Sequence, residues 1–143
     1  SGGPGIAVID RLSVSPTLKV VSACFGPIST KAILRSKTLR REVNRLGKST
    51  FRSIVRDPRP RAFMRASKAF AYGLGLMTPR TRQLIELMES SGAVGATQNM
   101  LGQAVHAVAE EDLADTVLKN VKKRFPEAQA FTCDLDFTGA RLL

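Results

Sequence analysis

The stretch SGAVGATQNMLGQAVHAV, residues 91–108, decides the fold of this 143-residue chain. It is rich in glycine and alanine, and its middle is more polar than its two ends. The pattern predicts a strand near 93–98, a loop over 99–102 and a second strand over 103–109, because short apolar runs bounded by turn residues are typical of β-hairpins. Glycines in such a hairpin let the backbone come close either to a phosphate or to a packed helix. The residues alone leave both possibilities open.

Two helices flank this hairpin in the sequence, and a strand follows them. Thr78-Pro79 is a good N-cap and first-turn pair, so we expect a helix over 79–90. A second helix is expected over 111–124, because acidic residues open it and basic residues close it, which suits the helix dipole. Apolar and polar residues then alternate over 131–137, as in a half-buried strand. The positions expected to face the core there are Phe131, Cys133, Leu135 and Phe137.

The first half of the chain predicts two strands and then a helical region. Short strands are expected over 6–14 and 18–25, the second bounded by Pro16 and Gly26-Pro27. Four helical pieces follow, with expected starts at Ser29, Thr38, Ser49 and Arg61 and with Gly47 and Asp57-Pro58 as stops. We therefore predict one α+β domain over 1–143, an antiparallel sheet with helices packed on one face and a basic helical insertion over 26–75.

The positive charge is concentrated in the middle of the sequence. Residues 31–82 hold 15 of the 22 Lys and Arg of a chain whose formal net charge is +10, but only two acids, Glu42 and Asp57. Such a field favours anionic partners, namely nucleic acid, nucleotide phosphates, acidic metabolites or an acidic protein face, and it also suits a solvated helical surface. Nucleic acid is not the expected partner, because the local aromatic residues fall at helical core spacing. These residues are Phe51, Phe63, Phe70 and Tyr72.

One turn is a candidate anion site. Residues 26–31, Gly-Pro-Ile-Ser-Thr-Lys, follow the strand over 18–25 and open a helix with two hydroxyls and a lysine. A helix N-terminus presents free N–H groups and a partial positive charge, so Ser29, Thr30 and Lys31 form a candidate site for an anionic substrate. Simple capping by Ser29 or Thr30 is the alternative explanation.

Other chemistry has weaker support. Two cysteines, Cys24 and Cys133, exclude a disulfide scaffold and any four-cysteine zinc site. We expect both, and the single histidine His106, to be structural. Asp134 and Asp136 are explained as the solvent side of a strand, so we expect no metal site. No apolar run is long enough to span a membrane, and we expect no membrane partner.

Several stretches together resemble the GHMP kinases, the superfamily of galactokinase, homoserine kinase, mevalonate kinase and phosphomevalonate kinase. Gly92-Ala93, Gly95-Ala96 and Gly102 are similar to parts of the third conserved motif of that family, while 97–102 replaces its polyglycine loop. This reduced loop resembles the archaeal pantoate kinase branch, as do 26–34, 75–79 and 136–141.

The resemblance implies that two domains contribute to the reaction. The chain would be the C-terminal domain of such a kinase, and an N-terminal GHMP domain would bind ATP with Mg²⁺. Asn99, Met100 and Gly102 would lie near the triphosphate, and Ser29, Thr30 and Lys31 would hold the carboxylate of pantoate, a small hydroxy acid. No catalytic residue is assigned here, and we expect the chain alone to be inactive, the enzyme to be cytoplasmic, and a homodimer to be possible. The open alternatives are another GHMP kinase acceptor, a basic nucleic-acid-binding module and a stand-alone binding domain.

Overall fold

The computed structural model describes residues 12–26, 36–99 and 102–138. Its elements in chain order are β1 (Leu18–Cys24), α1 (Lys37–Arg56), α2 (Pro60–Gly73), α3 (Pro79–Ser90), β2 (Gly95–Gln98), β3 (Ala104–Glu110), α4 (Glu111–Arg124) and β4 (Gln129–Asp134). The four strands form one antiparallel sheet in the order β2-β3-β1-β4. The predicted α+β fold with an antiparallel sheet is confirmed.

The hydrophobic core lies between the sheet and the two helices α3 and α4. Alternate residues of β1 and β3 face these helices, because successive side chains of a strand point to opposite faces. The core consists of Val21, Ala23, Leu84, Ile85, Met88, Ala96, Val105, Ala107, Ala109, Ala114, Val117, Val121 and Phe125. Most of these side chains are completely buried, so α3, α4 and the sheet form one rigid packing unit.

Helices α3 and α4 begin and end at the predicted residues. The Thr78 hydroxyl accepts a hydrogen bond from the Thr81 backbone N–H at 3.1 Å, which is the N-cap that the sequence predicted for α3. Helix α4 has Glu111 and Asp112 in its first turn and basic residues in its last turn. Local cap and charge signals therefore determine these two helices.

The helical region between β1 and α3 differs from the prediction at Gly47. Helix α1 is continuous through Gly47, so the predicted stop there is wrong, as are the separate helix starts at Thr38 and Ser49. The cap is Ser36, whose Oγ accepts from Leu39 N at 3.2 Å. Because α1 packs on α2, with Gly47 facing Phe70, tertiary contact sustains a helix that local propensity would end. The helix predicted from Ser29 lies outside the described residues.

The last strand also differs from the prediction. It spans Gln129–Asp134 rather than 131–137, and Phe131 and Cys133 are exposed instead of core-facing. Ala130 pairs with Ala23 and Thr132 with Val21, so these two side chains share the face that α4 covers. Strand β4 is at the edge of the sheet, and its alternation is shifted by one residue from the predicted one. This shift turns the Phe131 side chain outward.

The remaining predictions for this part of the chain have mixed outcomes. Of the strand predicted over 6–14, only residues 12–14 are described, and they are not in a strand. The boundaries predicted for an insertion over 26–75 stay a prediction, with α1 and α2 lying inside them. None of the described helices has the length and apolar character needed to cross a bilayer.

Candidate functional site

The candidate site is the end of the sheet at which β1 ends and the β2–β3 hairpin turns. Cys24 pairs with Ala104, the first residue of β3. One residue farther, the Phe25 backbone N–H donates to the Gln103 carbonyl at 3.1 Å. Gly26 then has a φ of +130°, a backbone conformation that glycine adopts without a steric penalty. The turn that follows β1 therefore begins beside the hairpin loop.

The hairpin loop is closed by its own hydrogen bonds. The Asn99 N–H donates to the Ala104 carbonyl at 2.7 Å, and the Gly102 N–H donates to the Asn99 carbonyl at 3.2 Å. The Gln98 side chain, which is buried, donates from Nε2 to the Gly102 carbonyl at 2.7 Å. Gln98 was not among the predicted site residues, since a single glutamine at a strand end gives no sequence signal.

These bonds limit what the predicted loop residues can offer to a phosphate. The backbone N–H groups of Asn99 and Gly102 are already used inside the loop. The Asn99 side chain remains exposed, and Gly102 is half-buried. Met100 lies outside the described residues, as do Ser29, Thr30 and Lys31. Among the described residues, Phe25 and Gln103, which are close in sequence to the two predicted clusters, lie together at one end of the sheet.

Aromatic and cationic side chains fix the end of β1. The Arg80 guanidinium lies 4.1 Å from the centroid of the Phe25 ring, and it also forms an ion pair with Glu127. The Phe25 and Phe125 rings meet edge to face with their centroids 5.4 Å apart. Such contacts hold a side chain in one orientation. The turn after β1 therefore starts from an anchored residue.

The small residues of the hairpin serve packing. An added Cβ at Gly95 would lie 2.6 Å from Cβ of Met64 on α2, so the two elements touch where Gly95 has no side chain. Ala96 is completely buried on the other face. The Glu89 carboxylate accepts from the Lys68 ammonium at 2.6 Å and from the Ala96 N–H at 3.4 Å. For Gly95, the structure supports the helix-packing explanation over the phosphate explanation.

A cleft of about 500 Å³ lies at the opposite end of the sheet, beside Leu18 and Glu110. It is lined by both signs of charge. Arg59 donates to Asp57 at 2.7 Å, and this guanidinium lowers the pKa of the Asp57 carboxyl to about 2. We place the candidate site at the other end because Phe25 and Gln103, the described residues close in sequence to the two predicted clusters, lie there.

Two of the weaker candidates, Asp134 and Cys24, have local partners in the described part of the chain. Asp134 forms an ion pair with Lys19, whose ammonium also lies 3.1 Å from Glu111, and these hydrogen bonds raise the pKa of Lys19. No group of three or more His, Cys, Asp or Glu in the described ranges could hold a metal ion. The Cys24 thiol is engaged with the backbone of Gly26, which donates to the sulfur at 3.3 Å.

The protonation of His106 predicts a pH-dependent stability. Burial lowers the pKa of this imidazole, so the folded state binds the proton less well than the unfolded chain, in which the pKa is about 6.5. Stability is therefore complete above about pH 6.5 and falls as the pH drops through the folded-state pKa. Urea unfolding between about pH 7 and about pH 5.5 should show this loss, and His106→Gln should reduce it. An equal loss in the variant would contradict the assignment.

Comparison with known proteins identifies the family. The protein-family model described as GHMP kinases C terminal matches residues 51–127, which is more than half of the chain. The chain belongs to this family. The GHMP kinase C-terminal match covers α2, α3, the hairpin, α4 and part of α1, so it includes the hairpin side of the candidate site and not the end of β1.

Individual relatives agree with the GHMP assignment. The chain is 22% identical over 120 residues to pantoate kinase of Methanocaldococcus jannaschii, covering 83% of this chain and 44% of that protein. A solved structure described as a phosphotransferase related to the CoA biosynthesis pathway superposes with a TM-score of 0.79 at 19% identity, covering 94% of this chain and 42% of that one. Mevalonate kinase of L. major gives a TM-score of 0.61 at 16% identity, covering 87% of this chain and 45% of that one. The chain thus spans less than half the length of these relatives, and at these identities the solved structures show a shared fold.

Proposed function

We propose that this chain is the C-terminal half of an ATP-dependent kinase that phosphorylates pantoate to 4-phosphopantoate, a step of coenzyme A synthesis. The family match and the likeness to a pantoate kinase support this proposal. The observation that carries it is the hydrogen bond from Phe25 N–H to the Gln103 carbonyl, which joins the start of the predicted acceptor turn to the predicted phosphate loop. The acceptor turn and the phosphate loop would then line one pocket at this end of the sheet.

In this proposal the chain positions the acceptor and an N-terminal GHMP domain binds ATP. Ser29, Thr30 and Lys31 would neutralise the carboxylate of pantoate, because helix N-termini and ammonium groups bind anions. Asn99, Met100 and Gly102 would border the triphosphate, with the exposed amide of Asn99 as a donor. Mg²⁺ would arrive with ATP and be held by the N-terminal domain.

The reaction balances without a covalent intermediate on this chain. The 4-hydroxyl oxygen of pantoate attacks the γ-phosphorus, the bond from that phosphorus to the β,γ-bridging oxygen breaks, ADP leaves, and the hydroxyl proton is released. Such transfers depend mainly on positioning and charge neutralisation. A chain with a formal charge of +10 supports attraction of both anionic substrates. We further propose that the enzyme is cytoplasmic and that it can form a homodimer.

The acceptor assay tests this function. The kinase that contains this chain should transfer phosphate from ATP to pantoate with a kcat/KM about 100-fold above that for mevalonate, because a site shaped for one acceptor leaves its polar groups unpaired with another. The product is identified by mass spectrometry. A preference for mevalonate would favour another GHMP kinase activity, and transfer to neither acceptor would contradict the proposal. The 143-residue chain alone should show no ATP turnover.

A further inference from the structure

The outer face of α1 carries a line of cations. With a helical repeat of 3.6 residues, Arg41, Lys48, Arg52 and Arg56 fall on one side of the helix, a set we call the basic stripe. Its two ends, Arg41 and Arg56, are fifteen positions apart, which corresponds to about 22 Å along the helix axis. All four residues are exposed. A row of charges of this length is complementary to a linear polyanion.

The stripe is not neutralised by the described part of the protein. No carboxylate in the described ranges forms an ion pair with any of its four residues, and the acid of α1, Glu42, pairs with Arg45. Among the described elements, α1 packs against α2 alone. The opposite side of α1, which carries Val43, Leu46 and Ile54, is the half-buried side. The basic stripe therefore faces away from the rest of the described structure.

An aromatic side chain adjoins the stripe. Phe51 was expected at a core position, but its side chain is 62% exposed, so that expectation is wrong. It lies next to Arg52 and one turn before Val55, which is also exposed. Exposed aromatic rings beside cations are typical of surfaces that bind single-stranded nucleic acid, because bases stack on the ring while phosphates meet the charges. The observation that argued against nucleic acid in the sequence therefore argues for it in the structure.

A membrane suits this face less well. Helices that lie in a membrane surface bury a wide apolar face, and the wide apolar side of α1 is turned toward α2. Phe51 and Val55 give a narrow apolar strip only. The length of the basic stripe and its narrow apolar border favour a flexible phosphate backbone over a membrane surface.

We propose that the outer face of α1 is a docking surface for single-stranded nucleic acid, with the basic stripe contacting phosphates and Phe51 stacking on a base. This activity is separate from the proposed kinase site, because α1 contacts α2 and none of the strands among the described elements.

Fluorescence anisotropy tests the proposal with a labelled oligothymidylate of about 16 nucleotides in about 50 mM salt. The variant Arg41→Gln/Lys48→Gln/Arg52→Gln should bind about 10- to 100-fold more weakly than the parent chain, and its slope of log affinity against log salt should fall by about 2. The matched control is Lys119→Gln/Lys122→Gln/Lys123→Gln on α4, which loses the same number of exposed charges. It should change the affinity less than about threefold.

A second variant separates stacking from charge. Phe51→Ala should lower the affinity about tenfold and leave the salt slope unchanged, because stacking releases no counterions. Thermal unfolding followed by circular dichroism checks that each variant is folded. Equal losses in the two triple variants, no binding by the parent chain, or stripe-dependent binding to phosphatidylserine vesicles without binding to the oligonucleotide would each overturn the proposal. An unchanged affinity in Phe51→Ala would remove the stacking contact from it.

Discussion

Replacing Gly95 with alanine is expected to lower the free energy of unfolding by about 2–3 kcal/mol, a typical effect of overpacking a core. The added methyl group would lie 2.6 Å from Cβ of Met64. Cβ is the root of the side chain, so a change of Met64 rotamer cannot relieve the clash. Either α2 or β2 has to shift, and Met64 is almost completely buried. Urea unfolding measured by circular dichroism gives the difference.

Gly47→Ala is the matched control for this prediction. A Cβ at Gly47 meets only Phe70, at 4.0 Å, and the residue lies inside α1. The same substitution should therefore raise the free energy of unfolding by about 0.5–1 kcal/mol, because alanine loses less backbone entropy in a helix. An unchanged stability in Gly95→Ala would mean that α2 does not pack on β2 as described.

Replacing Lys31 with methionine in the proposed pantoate kinase should raise the KM for pantoate about 10- to 100-fold, the usual range for losing a hydrogen bond to a charged group. Methionine keeps the approximate length of the side chain and removes its charge. The kcat should change little if Lys31 holds the carboxylate equally in the ground state and in the transition state. Steady-state kinetics with pantoate varied at saturating ATP measure both constants.

Lys37→Met is the control for the change of charge. Lys37 is exposed at the start of α1, six residues farther along the chain. Its loss should leave the KM for pantoate within about twofold, since an exposed charge outside the pocket is screened by salt. Equal KM values in Lys31→Met and the parent enzyme would remove Lys31 from the acceptor site. An equal rise of this KM in both variants would mean that the overall positive charge of the protein attracts pantoate, rather than a contact with Lys31.

Helices with local signals at both ends were predictable from the sequence. Thr78-Pro79 set the start of α3, and the acidic and basic ends of α4 set its length. The hairpin and the antiparallel sheet followed from composition and alternation. The resemblance to the GHMP kinases was carried by small residues at fixed spacing, and the family match confirms it.

The features that the sequence did not predict depend on contacts between distant residues. The continuity of α1 rests on packing against α2, and the outward position of Phe131 rests on the register between β4 and β1. The contact between Gly95 and Met64 joins residues of two elements, so a lone glycine could equally indicate a ligand. In each case a tertiary contact decided between local alternatives.

The position of β1 in the sheet affects how the chain folds while the ribosome synthesises it. This strand is the first described strand in the sequence but lies in the interior of the sheet, and its Lys19 pairs with Asp134, 115 residues later. After the ribosome has made the hairpin and before β4 emerges, one edge of β1 has no partner and can pair with a neighbouring nascent chain. The sheet closes only when the last strand emerges, so a ribosome that stalls before Gln129 would leave an aggregation-prone intermediate.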